Sequence, residues 1–197
     1  MFERFTKDAR AVVKGAFALA EGEGVRTVGA EHLLLALLDR KGSRASFALA
    51  ALGLAERREA VRGALRETRR RAGLTRAEAD ALAGLGIDVA EVVARVEEVH
   101  GVGAMSEDVG GFKGLTGRGG RRAGRRPVFG REAKGVLERS LRVALGRRER
   151  HIGDEHLLLA LTGAPGVVGE VLADHGVTFE GVSRVCPPVH PARSAGG

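Results

Sequence analysis

The sequence predicts an all-α protein made of two copies of one four-helix unit, and three observations carry that expectation. The phrase Gly29-Ala30-Glu31-His32-Leu33-Leu34-Leu35-Ala36-Leu37 returns as Gly153-Asp154-Glu155-His156-Leu157-Leu158-Leu159-Ala160-Leu161, a spacing of 124 residues (156 − 32). The same register sets Phe5 on Phe129, Ala9 on Ala133, Val12 on Val136 and Val13 on Leu137, as a duplicated helical unit requires. Ala, Leu, Val and Arg dominate, apolar residues recur at helical spacing, and no alternating strand pattern is found.

Taken in order, Thr6 is an N-cap, and Ala9, Val12, Val13, Ala16, Phe17 and Ala20 follow on one helical face until Gly22 and Gly24 end the run. A second helix spans Glu31 to Asp39, a third Ser43 to Leu52 closed by Gly53, and a fourth about residues 56–71 with a basic outer face. The second copy gives Arg131 to Leu145, Asp154 to Leu161, Val167 to Asp174 ending at His175-Gly176, and Phe179 to Val185, after which Pro187, Pro188 and Pro191 stop it. Between the copies lie two further helices, Leu74 to Leu85 and Val89 to His100. There Leu85-Gly86-Ile87 echoes Leu52-Gly53-Leu54, which reads as a local duplication or insertion. Gly114 to Arg126, with Arg118, Arg121, Arg122, Arg125 and Arg126 among glycines, reads as a flexible linker. The expected organisation is residues 1–70 for the first repeat, 71–126 for the inserted helices and linker, 127–186 for the second repeat and 187–197 for a frayed tail.

Composition narrows the function. Aromatics make up 4% with no Trp or Tyr, so the core must be aliphatic. The sole cysteine, Cys186, cannot form an internal disulfide and fits a reducing compartment, as a small buried hydrophobe. The charged start Met1-Phe2-Glu3-Arg4-Phe5-Thr6-Lys7-Asp8 is no signal peptide and no apolar run reaches membrane length, so a soluble cytoplasmic protein is expected. A net charge of +7 raises the alternative of a nucleic-acid-associated protein acting through the Arg/Gly linker. With only Phe112 and Phe129 nearby for base stacking, a solvated linker is the preferred reading.

The repeated Glu-His pair is the chemical signal. A Glu in the first turn of a helix offsets the positive end of the helix dipole. The amides at that end can hold an anion, while the carboxylate can take a guanidinium in bidentate fashion. His32 and His156 are expected to be buried and hydrogen-bonded, and no second His stands four residues on, so zinc hydrolysis is unsupported. Gly114 to Gly120 lacks the Gly-Lys-Ser/Thr ending of a P-loop, and no Gly-x-Ser-x-Gly elbow or Ser/His/Asp set can be assembled. No enzyme, metal or cofactor is expected.

The start Met1-Phe2-Glu3-Arg4-Phe5-Thr6, the twice-spoken Gly-x-Glu-His-Leu-Leu-Leu-Ala-Leu and Phe129 opening the second copy resemble the Clp N-terminal (Clp repeat) domain of ClpC- and ClpA-type AAA+ unfoldases. The resemblance implies a pseudo-twofold bundle that receives clients and adaptors for an unfoldase and its ClpP peptidase, here without the ATPase modules. It implies two ligand sites. A phosphoarginine-like site maps to Glu31 and Glu155, although the family's preceding Thr is replaced by Ala30 and Asp154; Ala30 removes a capping hydroxyl and Asp154 caps but brings negative charge, so asymmetric binding is expected. A surface for cyclic-peptide antibiotics maps to Phe2, Arg10 and Val13 from the first copy, with Phe129, Lys134, Glu138 and Leu141 from the second. The implied partners are client or adaptor proteins, phosphoarginine-marked or not, cyclic peptides, and Clp unfoldase or protease subunits, with nucleic acid disfavoured and no membrane.

Overall fold

Each repeat is organised around a helix pair whose apolar faces match. The structure, a computed structural model, describes residues 2–70, 73–100 and 127–189; the Gly/Arg-rich linker and the end of the expected tail lie outside them. A short 3-10 turn, Phe2–Arg4, leads into α1 (Lys7–Gly22), whose first turn is closed by Thr6 Oγ1 accepting from the Ala9 amide at 3.2 Å. The stripe Ala9, Val12, Val13, Ala16 and Ala20 faces inward and packs on α2 (Ala30–Asp39). In the second copy α7 (Arg131–Gly146) packs on α8 (Asp154–Thr162) in the same way.

The Leu tracts of α2 and α8, Leu35 apart, are buried and meet at the centre, so Leu33, Leu34, Leu37, Leu157, Leu158 and Leu161 form one shared core. Each fully buried Leu contributes about 1.5–3 kcal/mol. The periphery is symmetric too. α3 (Arg44–Ala51) meets α10 (Phe179–Val185), and α4 (Arg58–Arg70) meets α9 (Val167–Asp174). Two further helices, α5 (Arg76–Gly84) and α6 (Val89–His100), follow α4 and pack on each other.

The sequence predicts no strand, and the structure adds two very short ones. β1 (Thr27–Val28) pairs in parallel with β2 (Val128–Phe129), and Phe5 bridges Ile152. The 124-residue register carries Phe5 onto Phe129 and Val28 onto Ile152, so each copy lends the segment before its first helix to the segment before the other copy's second helix. The Thr6 amide donates to Ile152 O at 2.9 Å, and its counterpart, the Gly130 amide, donates to Val28 O at 3.0 Å. Two-residue strands are too short to display alternation, which is why no pattern announces them.

Among the described residues no single helix is long and apolar enough to cross a membrane. Cys186 is buried, and its Sγ donates to Arg44 O at 3.4 Å.

Candidate functional site

The Glu-His phrases start α2 and α8, and their geometry corrects one local expectation. The N-caps are Gly29 and Gly153, not the residues after them; Ala30 and Asp154 are already helical. The Gly29 amide donates to His32 Nδ1 at 3.0 Å and the Gly153 amide to His156 Nδ1 at 2.9 Å. Each imidazole therefore accepts at Nδ1 and, when neutral, carries its proton on Nε2. A Cβ on Gly29 or on Gly153 would stand 2.1 Å from Oε2 of Glu31 or Glu155. The glycines are required less by their backbone angles than by the carboxylates folded back over them.

In the second copy this cradle is filled from within. Glu155 is only 4% exposed, and Arg44, the first residue of α3, donates from a guanidinium nitrogen to its Oε1 at 2.6 Å and from the other to Pro187 O at 2.7 Å. Asp154 caps a neighbouring helix instead of its own, Oδ2 accepting from the Ala45 amide at 3.3 Å. Arg147 holds Cys186 O at 2.8 Å and Ser183 Oγ at 2.9 Å, and Glu149 Oε1 accepts from the Val189 amide at 3.1 Å, so the chain after α10 is stitched alongside.

Burial raises the Glu155 carboxyl above the ordinary range, while its own backbone amide and Arg44 pull it back. Burial, and not the neighbouring guanidinium groups of Arg147 and Arg44, is the main reason that His156 is pushed down to about 4. Its Nε2 has no hydrogen-bond partner and lies 3.6 Å from Glu149 Oε2.

Donor atoms of Glu149, Glu155 and His156 lie within 4.8 Å of one another. They do not suit a metal. The neutral His156 ring presents a proton, not a lone pair, at Nε2, and the Arg44 guanidinium already stands between the carboxylates, 3.9 Å from Glu149 Oε2.

The first copy is built on the same plan, without an arginine at the matching helix start. The α9 position that matches Arg44 is Val167, also the first residue of its helix. Glu31 is 26% exposed and lies on a cleft of about 120 Å³ lined by Glu23, Glu31, Leu35, Arg62, Leu65 and Arg66. His32 is buried with Nε2 at 3.2 Å from Glu23 Oε2. Carboxylates and guanidinium groups thus share one recess. A ligand with a cationic and an anionic end can place the first on Glu31 and the second on Arg62 and Arg66.

The residues of the expected cyclic-peptide surface fall into four groups. Arg10, Lys134 and Glu138 are exposed on α1 and α7, and Glu138 pairs with Arg142 at 3.6 Å. Val13 is buried in the core. Leu141 lines a cleft of about 250 Å³ with Glu3, Arg4, Phe5 and Ile152; Phe2 lies next to this lining in the chain, but its side chain is outside the described residues. Phe129 stacks edge-on against Phe17, ring centroids 4.8 Å apart. Sequence reasoning missed Arg44, Arg62, Arg66 and Glu23, which lie outside the repeated phrase. The one available signal was the unequal pair Arg44 and Val167 at matching helix starts.

Fold and sites together define a duplicated helical scaffold, with charged groups gathered at the starts of α2 and α8. Residues 4–98 match the family model described as the Clp repeat (R) N-terminal domain, the family the sequence resembles. A chain from a malarial protein secretion system superposes with a TM-score of 0.52 at 13% identity, over 92% of this chain and 91% of that one, which shows the shared fold. The N-terminal domain of the caseinolytic protease associated chaperone ClpD from Arabidopsis thaliana aligns at a TM-score of 0.46 and 18% identity, over 94% of this chain and 96% of that one. The Hsp104 N-terminal domain from Candida albicans aligns at a TM-score of 0.46 and 13% identity, over 93% and 89%.

Proposed function

We propose that this chain is a non-enzymatic, Clp-type N-terminal binding module of cytoplasmic protein quality control. It receives client or adaptor proteins, or cyclic-peptide ligands, as an accessory, decoy or sequestering partner of Clp unfoldase or protease subunits. The observation that carries the reading is the pair of cradles. The Glu155 cradle holds a guanidinium, that of Arg44, at 2.6 Å, which supports guanidinium recognition at the matching Glu31 cradle. Arg62 and Arg66 beside Glu31 supply positive charge for an anionic group, so a phosphoarginine side chain fits the recess by its charges. The cleft at Leu141 is the second recess, and its apolar lining of Phe5, Leu141 and Ile152 suits a peptide side chain.

Calorimetric titration of the full chain with a phosphoarginine peptide, and separately with a cyclic peptide that targets ClpC, tests both. Glu31→Ala is expected to weaken the first by at least about tenfold, the loss of one charge-assisted contact, and to leave the second unchanged. Phe2→Ala is expected to do the reverse. No heat with either ligand, from protein shown to be folded, removes both named ligands.

A further inference from the structure

The helices α5 and α6 have no counterpart in the other repeat, yet their joint does. In α3–α4 the Leu54 amide donates to Leu49 O at 2.8 Å and the Gly53 amide to Ala50 O at 3.0 Å. In α9–α10 Val177 reaches Leu172 O at 2.8 Å and Gly176 reaches Ala173 O at 2.8 Å. In α5–α6 Ile87 reaches Leu82 O at 2.9 Å and Gly86 reaches Ala83 O at 2.9 Å. All three glycines are left-handed, with φ of 73°, 78° and 79° for Gly53, Gly176 and Gly86, as this helix ending demands. Leu-Ala-x-x-Gly followed by Leu, Ile or Val is thus spoken three times. The next helix is also capped alike, by Asp88 accepting from Ala90 at 2.9 Å and by Thr178 accepting from Gly181 at 3.1 Å. The insert is a third copy of the hairpin that closes each repeat.

What differs is the cover. Leu172, Val177, Val182 and Cys186 of α9–α10 are all buried, and α8 packs on both helices. A shift of 90 residues (176 − 86) carries these positions onto Leu82, Ile87, Val92 and Val96. There Ile87 and Val92 are each 42% exposed, and Leu85 and Val99 beside them are more exposed still. In the whole hairpin only Val93 is buried among the described residues. The hairpin keeps the face that α8 covers on α9–α10 and that α2 covers on α3–α4, without such a helix among the described residues.

The Leu tracts of α2 and α8 are spent in their own core, so the described residues of a second copy hold no spare helix to offer. Two hairpins facing each other are opposed by charge. Residues 76–100 hold Arg76 and Arg95 against Glu78, Asp80, Asp88, Glu91, Glu97 and Glu98, a net of −4 inside a chain of +7. We propose that α5–α6 is the docking surface for an amphipathic helix of a partner protein. That helix is apolar on one face and rich in Lys or Arg on its flanks, and it seats on the hairpin as α8 seats on α9–α10.

The test uses a fluorescein-labelled designed helix with Leu on one face and Lys on both flanks, titrated against the full chain by fluorescence anisotropy. Saturable binding is expected, weakened at least about tenfold by Val92→Asp and by Ile87→Asp, both exposed positions whose variants are checked for native circular dichroism. Replacing the peptide's Lys by Glu is expected to weaken it similarly, and salt to weaken the original. Equal affinity for the native chain and both variants overturns the proposal. So does self-association in sedimentation velocity that the same variants abolish, because a second copy then covers the face. A tenfold gain in peptide affinity on deleting residues 101–126 also overturns it, because the chain's own segment is then the occupant.

Discussion

The starts of α2 and α8 carry the same words and do different work. Both have a glycine N-cap, a buried His accepting the cap amide, and a Glu folded over the glycine. At α8 the carboxylate is buried under Arg44, and the chain leaving α10 is tied down beside it. At α2 the matching carboxylate borders a cleft with Arg62 and Arg66. The difference teaches that the repeated phrase specifies a cradle, while the helices outside the phrase decide what lies against it. Arg44 against Val167 is the choice that separates them.

Breaking the filled cradle has the largest expected effect. Arg44→Ala leaves a buried carboxylate without its guanidinium and is expected to cost about 3 kcal/mol, the lower end for a broken buried pair because Arg44 is 37% exposed. Arg62→Ala, whose partners Asp39 and Glu59 lie at the surface, is expected to cost less than about 1 kcal/mol. Urea unfolding of the two variants measures the contrast, and equal costs sink it.

A comparable effect is reached by pH. His156 is held at about 4 in the folded chain against 6.5 ordinarily, so between these values the unfolded chain binds the extra proton and stability falls as pH falls. The full contribution, about 3 kcal/mol, is present above pH 6.5 and lost toward pH 4. The raised Glu155 carboxyl slopes the opposite way, since the folded chain then holds the extra proton. His156→Gln isolates the histidine part: its urea midpoint is expected to change less between pH 7 and pH 5 than that of the native chain, and an unchanged pH slope contradicts the assignment.

The smallest effect sharpens the comparison most finely. Gly29→Ala and Gly153→Ala each lose an N-cap preference of up to about 1 kcal/mol and each push a Glu carboxylate aside. At Gly153 the displaced group is the partner of Arg44, so that substitution is expected to cost about 1 kcal/mol more than its twin, as read by thermal unfolding. Equal costs would mean that Glu155 keeps Arg44 after moving.

The sequence made the duplication, all ten helices of the described residues and the Leu core legible, because helical periodicity and the 124-residue register are local signals that survive without a structure. Glu31 and Glu155 were legible as a matched pair. An asymmetry was expected from Ala30 and Asp154; the structure sets Asp154 at the start of α3 and places on Glu155 the guanidinium of Arg44, 111 residues away in sequence. No local pattern reports such a contact. The exchanged pairings of Phe5 with Ile152 and β1 with β2 were hidden for the same reason, being made between copies and over too few residues to set a period.

The central claim is that the Glu31 cradle, on its cleft, takes the ligand while the Glu155 cradle keeps Arg44, and binding stoichiometry tests it most directly. Native mass spectrometry of the full chain with a phosphoarginine peptide is expected to show one bound peptide, lost in Glu31→Ala and kept in Glu155→Gln. Two bound peptides, or one that is lost in Glu155→Gln and kept in Glu31→Ala, would contradict it.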